Sequence, residues 1–469
     1  MAEVVIIGAG LTGLSSAYWL EKNNFFDYKI FEKQDRPGGL LRSEQHDGFT
    51  FDHTGHLLHI NDPSFYDFLN EIAAIEDFNL ITRQSGIYSN NVVTEYPFQM
   101  NLHGLPTDVI AECIEGYVTR NQAMRKPKSF YEWVLKYFGK GMGEHFFFPY
   151  NSKILSYNLK KVHPSWNGRF VPSTTLKAII DGTLQPAAHT KIGYNSSFYY
   201  PKQGGIEFIV KKLVAYLKNP VQTGYGVSHI DTTDKIVYFD NGQQERYKHL
   251  VTTMPLNRLL TTIKTPSRSS INQAADKLLC NAVININIGF SGPIDTNKHW
   301  LYFPERTYPF YRLGFWHTIC PSSVPTGHSA LYSELSYLPG RTTQAQAYKR
   351  ADLARKQVLD FVHMTADDIV AQKILHLDNA YVIYDAWREK NLVGILQHLH
   401  GLQIHSIGRY GEWKYSSMQD AYNDGKKVAM ELMQVYNTSS PTIVPAQLAP
   451  APSAGSIIRS TEKIIRRVT

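Results

Sequence analysis

Cysteine is scarce. Only Cys113, Cys280 and Cys320 occur in 469 residues, too few and too widely spaced for a disulfide framework or a cysteine metal site, as expected of a chain in a reducing compartment. No apolar run reaches the roughly 18 residues a membrane helix needs, and the first residues enter a core-like strand where a leader would stand. A cytoplasmic protein without a membrane span is therefore expected. Charge is thin as well: 19% of residues are charged and the excess is +7. The basic residues are dispersed until the very end, which points away from nucleic acid and leaves a basic cleft for an anionic small molecule as the sharper reading. Four histidines, His46, His53, His56 and His59, lack acidic or cysteine partners at ligand spacing, so no metal is expected. Repeats are absent.

What is present begins at once. Val4 to Ile7 form an apolar, β-branched run that predicts a buried parallel strand. The chain then turns at Gly8, Gly10 and Gly13, and Leu14 to Lys22 continue with helical spacing. Gly8 permits the tight turn, Gly10 lets a pyrophosphate approach the backbone past Thr12, and Gly13 lets the helix pack close on the strand. A second strand, Lys29 to Glu32, ends in an acid about twenty residues on, where ribose recognition needs it. Lys33 then opens a basic loop closed by Gly38, Gly39 and Leu40. This two-part pattern resembles the FAD fingerprint of the protoporphyrinogen oxidase, amine oxidase and UDP-galactopyranose mutase superfamily, so FAD is the expected cofactor.

The remaining chain divides by pattern. Phe49 and Phe51 alternate as a strand and lead to a turn at Gly55-His56. Asp62-Pro63 reads as an N-cap with proline in the first turn, opening a helix through Ile72. Ser129-x-x-Glu132 reads as a capping box. Ile209, Leu213 and Leu217 mark one helix face. Val283 to Ile288 reads as a central strand with one polar face, and Thr343 to Phe361 as a helix. We expect an α/β architecture in which residues 1–95, 201–265 and 400–436 form a discontinuous Rossmann-like FAD-binding domain. Residues 96–200 are expected as an inserted, mostly helical domain, and 266–399 as a mixed or antiparallel β-sheet domain for the substrate. The Ser/Pro/Ala-rich stretch 437–469 is expected to be a flexible tail.

Four blocks carry a narrower resemblance: YPFQ at 96–99, PYN at 149–151, FP…PFYR at 303–312 and GRYGEWKY at 408–415. With PKQGG at 201–205 they resemble the eukaryotic type of UDP-galactopyranose mutase, from about residue 3 to about residue 436. That resemblance implies a ring contraction without net redox, interconverting pyranose and furanose forms of a UDP-sugar and supplying galactofuranose for cell-surface polysaccharide. Reduced by NADPH or NADH, flavin N5 would attack the anomeric carbon and displace the nucleotide diphosphate. By motif, Arg312 and Arg409 match the family's two diphosphate-binding arginines, and His56 beside Gly55 matches the histidine next to the flavin. Tyr302, Tyr381 and Tyr415 match tyrosines around phosphate or sugar. Tyr96, Phe98 and Gln99 match the uridine side, and Asn151 and Arg169 the sugar and a mobile flap. Gly408, Gln419 and Asp420 fall where the family approaches the flavin. Two departures stand out. Thr54 replaces the glycine usual before Gly55-His56, and Thr tolerates positive φ poorly. The surroundings of Tyr157 and Lys160 also differ, which leaves the sugar open. A flavin oxidoreductase of the amine or protoporphyrinogen oxidase type, and an idle FAD- or nucleotide-sugar-binding protein, remain the alternatives. Oligomeric state is open, a homo-oligomer included.

Overall fold

The computed structural model describes residues 2–124, 126–166, 171–185, 196–264 and 268–439, with backbone alone for 268–272 and 437–439. Arg169 and the tail beyond 439 lie outside them.

An eight-stranded sheet is built around the N-terminal strand Ala2–Ile7, which is buried and pairs in parallel with Tyr28–Glu32 on one side and Gln244–Thr252 on the other. Such flanking is why Val4 to Ile7 are continuously apolar, with no alternation. Val221–Thr223 extends the sheet beyond Tyr28–Glu32, and Ile404–Ser406 lies beside the end of Gln244–Thr252, both in parallel. Val227–Asp231, Ile236–Phe239 and the start of Gln244–Thr252 add an antiparallel flank. The expected returning strand thus closes on the first.

A second sheet has seven strands in the order Ile369–Leu377, Ala282–Phe290, Ser329–Tyr337, Arg312–Phe315, Trp300–Tyr302, Ser85–Ser89 and Val92–Glu95. It is antiparallel except where Trp300–Tyr302 runs parallel to Ser85–Ile87. Ala282–Phe290 is buried on both faces. The asparagines of its expected polar face are interior groups: Asn285 donates to the Asp52 carbonyl at 3.3 Å, and Trp316 Nε1 donates to Asn287 Oδ1 at 3.1 Å.

Helices Thr107–Val118, Phe130–Tyr137, Phe148–Leu155 and Leu176–Leu184 enclose an aromatic core containing Phe98, Phe130, Phe138, Phe146 and Phe147. Local signals hold closely. Asp62 accepts from Ser64 N at 2.9 Å and opens Pro63–Ile72. Ser129 accepts from Glu132 N at 3.2 Å, but Glu132 turns back to Lys128 N, not to Ser129, so the box is only half formed. Full reciprocal boxes occur at Thr343 with Gln346 and at Thr365 with Asp368. The last helix, Met418–Ser439, packs along Leu11–Lys22.

Candidate functional site

The glycine turn is built for an anion. Gly8 sits at φ +97°, and a Cβ on Gly13 would lie 1.9 Å from the Gly8 carbonyl oxygen, so only glycine lets the helix Leu11–Lys22 start this close to the strand. That helix is capped by Gly10 with no side-chain acceptor and no acid in its first turn, leaving its N–H groups and positive dipole end to a ligand. The second glycine loop lies directly on the first: Gly38 N donates to the Ala9 carbonyl at 2.9 Å, and a Cβ on Gly39 would meet Gly10 Cα at 3.3 Å. Glu32 is fixed at the end of its strand by Ala9 N and Gln34 N, at 2.9 and 3.0 Å. Gly408, at φ +81°, comes so near Thr12 that a Cβ would stand 2.8 Å from its hydroxyl oxygen. Gly8, Gly10, Thr12, Gly13, Glu32, Gly39 and Gly408 therefore fit a dinucleotide cradle. Lys33 is exposed at the loop's start.

Beside this cradle lies a cavity of about 180 Å³. It brings together Tyr96, Gln99, Asn151, Tyr302, Arg312, Tyr381 and Tyr415, contributed by five separate stretches of sequence. Leu40, from the second glycine loop, packs in one cluster with Tyr150, Tyr311 and Tyr381 of the cavity wall. One loop thus serves both the cradle and the chamber. Burial pushes the hydroxyls of Tyr96, Tyr302 and Tyr381 above the ordinary tyrosine range, so they are neutral donors.

Arg312 begins the strand Arg312–Phe315, opposite Glu334 of Ser329–Tyr337. Its Nε and Nη2 donate to the two Glu334 carboxylate oxygens at 2.9 and 2.6 Å. Burial opposes the charge, but Glu334 and nearby tyrosine hydroxyls outweigh it and hold Arg312 well above the usual arginine range. Arg409, on the short helix Gly408–Gly411, donates to the Ser416 and Ala380 carbonyls at 3.0 and 2.8 Å and lies over the Tyr415 ring at 4.6 Å. Two of the five N–H donors of each guanidinium are spent on holding it in place. Both cations act on the same groups. Burial first, then Arg409 and Arg312, depress the His56 imidazole to about 3, and both arginines oppose burial at Tyr381.

His56 stands in a tight turn whose His56 N donates to the Thr54 carbonyl at 3.0 Å. Thr54 adopts φ +72°. The turn geometry is thus the glycine-like one, and a β-branched residue occupies it at a cost of about 1–2 kcal/mol. Gly55 has no room for a side chain: a Cβ would lie 2.2 Å from the Tyr332 hydroxyl.

Other expected residues stand elsewhere or carry structural tasks. Phe98 is fully buried in the helical core, stacked on Phe146 at 5.0 Å, and supports the wall from behind. Gln99 lines the cavity and donates to the Pro172 carbonyl at 2.8 Å, fastening the 171–175 segment. Gln419 accepts from Asn61 N and Asp62 N, and Asp420 accepts from Ser417 N and its hydroxyl, so these bonds tie down a loop and cap the last helix. Of the four grouped histidines, His53 pairs with Glu44 at 2.9 Å and His59 with the Ser197 carbonyl at 3.2 Å. Tyr150, Tyr311 and Trp166 also line the chamber, beyond the residues expected from the sequence. Tyr150 sits inside the PYN block and Tyr311 precedes Arg312, so the blocks themselves pointed to both. Trp166, 5.6 Å from Tyr415 and 6.1 Å from Tyr381, carried no local signal.

Comparison with known proteins agrees with this geometry. The family model described as flavin containing amine oxidoreductase matches residues 11–433. A crystal structure of reduced UDP-galactopyranose mutase superposes with a TM-score of 0.86 at 25% identity, covering 93% of this chain and 94% of that one. A putative protoporphyrinogen oxidase from Exiguobacterium sp. 255-15 shares the fold at TM-score 0.72 and 16% identity, over 92% and 99% of the two chains. Coproporphyrinogen III oxidase of Staphylococcus aureus is 34% identical over 111 residues, 23% of this chain and 23% of the relative's own length. Among the described residues, no helix is long and apolar enough to cross a membrane.

Proposed function

The chain belongs to the flavin containing amine oxidoreductase family, and from that premise we propose that it is a FAD-dependent mutase interconverting pyranose and furanose forms of UDP-galactose or a related nucleotide sugar. The observation that carries this reading is Arg312, which lines the aromatic chamber, together with Arg409, which lies over two of its wall rings, Tyr381 at 5.5 Å and Tyr415 at 4.6 Å, while Leu40 of the cofactor loop packs against the same wall. One permanent cation lining the chamber and a second over its wall rings, set against the single carboxylate of Glu334, leave a positive excess that repels a cationic amine and attracts a diphosphate. Bound and reduced, FAD supplies a nucleophilic nitrogen for a sugar's anomeric carbon. The arginines retain the departing diphosphate by charge-assisted hydrogen bonds, so that it is on hand for its return. Tyr302, Tyr381 and Tyr415 donate hydroxyl hydrogen bonds while their rings exclude bulk water from the reacting carbon. Tyr96 offers its ring to the base, beside Gln99 and Asn151. His56, neutral at working pH, contributes a hydrogen bond and no charge.

The test is turnover by the flavin-reduced enzyme. Reduced with dithionite, NADPH or NADH, it should convert UDP-galactofuranose to UDP-galactopyranose, and the oxidised enzyme should not. Bleaching of the oxidised flavin by an amine or a porphyrinogen, with no interconversion of any UDP-sugar by the reduced form, would overturn the reading in favour of an oxidase.

A further inference from the structure

Outside the cradle and the chamber, a helix end, a short strand and the last helix bring imidazole and carboxylate groups together. His400 lies in the last turn of the helix Ala386–Gly401, His405 at the middle of the strand Ile404–Ser406, and Glu431 on the last helix, Met418–Ser439. One ligand atom from each lies within 4.8 Å of the other two, the sole such group of three among the described residues. The rings of His400 and His405 meet edge to face at 5.1 Å. His249, from the neighbouring strand Gln244–Thr252, places Nδ1 3.3 Å from His405 Nε2.

We propose that His400, His405 and Glu431 bind a divalent transition metal of the zinc type, with His249 orienting the His405 ring. Two imidazoles and one carboxylate are borderline ligands that suit zinc, cobalt, nickel or copper, not magnesium or calcium. Tetrahedral Zn–N and Zn–O bonds of about 2.0–2.2 Å require the three ligand atoms to close in by roughly 1 Å. His400 is exposed and Glu431 half-buried, so their rotamers are free to do so, while His405 is buried and held by His249 in the outer-shell role such ligands need. The site's position at a helix C-terminus favours a cation. The competing charges are few. Lys427, exposed, stands 3.9 Å from Glu431, Lys248 is engaged by Glu3, and Lys235 lies toward His249. A metal here pins the last helix, which packs along the dinucleotide-binding helix Leu11–Lys22, to the edge of the first sheet.

The experiment uses untagged, flavin-loaded, full-length protein freed of metal by a chelator and titrated calorimetrically with zinc chloride. One equivalent should bind with micromolar or tighter affinity, and saturating zinc should raise the unfolding temperature. His400→Ala and Glu431→Gln should each weaken binding at least tenfold and abolish the thermal shift, with flavin absorbance unchanged. His249→Ala should weaken binding less, and magnesium should not compete. Absence of stoichiometric zinc binding overturns the proposal. So does binding that survives the His400→Ala, Glu431→Gln double variant, because the metal then sits elsewhere.

Discussion

Replacing Glu334 by Gln should uncouple anion binding from turnover. Glu334 is fully buried and grips Arg312 through two short bonds, while the Arg312 side chain keeps 19% of its surface open to the chamber. Gln preserves shape and one acceptor but removes the countercharge. Breaking a fully buried pair costs about 3–5 kcal/mol, and the chamber's solvent brings the expected loss for the ligand-free protein to the lower end of that range. A diphosphate entering the chamber then meets a guanidinium whose charge is uncompensated. A unit charge some 7 Å away, at an effective dielectric near 20, changes the interaction by roughly 2 kcal/mol. The affinity for UDP should therefore rise about tenfold or more in Glu334→Gln. Turnover should fall, because Arg312 loses the fork that orients it and the diphosphate is released too slowly. Calorimetric titration with UDP, alongside wild type, reads the first effect directly. UDP binding that is unchanged or weaker in Glu334→Gln refutes the view that Glu334 balances the charge of Arg312 while positioning it.

Other expectations are as specific. Arg312→Ala or Arg409→Ala should leave flavin bound but weaken nucleotide-sugar binding about tenfold or more, since a hydrogen bond to a charged group contributes roughly 1.5–3 kcal/mol; retained affinity in both variants would remove the arginines from the site. His56, depressed to about 3, is neutral in the fold wherever an unfolded imidazole, near 6.5, takes a proton. Its contribution to stability is therefore complete above about 6.5 and is lost as pH falls toward 3. UDP affinity measured between about pH 5 and 8 should show no inflection that His56→Asn removes. Thr54→Gly should relieve the left-handed strain at φ +72° and, after the added freedom of the unfolded chain, raise stability by up to about 1 kcal/mol in denaturant titration. Gly13→Ala forces a Cβ to within 1.9 Å of the Gly8 oxygen and should yield protein with little bound flavin, read from the ratio of visible to ultraviolet absorbance.

Much of this was legible in the sequence because the signals were local. The glycine spacing, the apolar first strand, the Asp62-Pro63 start and the periodic helix faces each depend on a few adjacent residues, and each element formed where expected. The arginines were readable through the aromatic blocks around them. What stayed hidden depended on distant partners. Glu334 looks like any strand acid until the register places it opposite Arg312. The alternate asparagines of Ala282–Phe290 read as a polar face, but the contacts that satisfy them come from Asp52 and Trp316, far along the chain. Phe98 sits beside Gln99 in one motif, yet one step along a 3₁₀ turn, about a third of a rotation, sends one into the core and the other to the cavity. Thr54 illustrates the reverse: propensity argued against the turn, and the surrounding packing imposed it.

Neither sheet can be assembled from one stretch of nascent chain. The first waits for Ala2–Ile7, Gln244–Thr252 and Ile404–Ser406; the second needs Ser85–Glu95 together with strands that end at Leu377. The strands that must pair are thus made long after one another, and the early apolar strand must be kept from aggregating meanwhile. Fragments cut at the apparent borders between regions should be insoluble, and robust expression should depend on chaperone supply more than on codon or promoter choice.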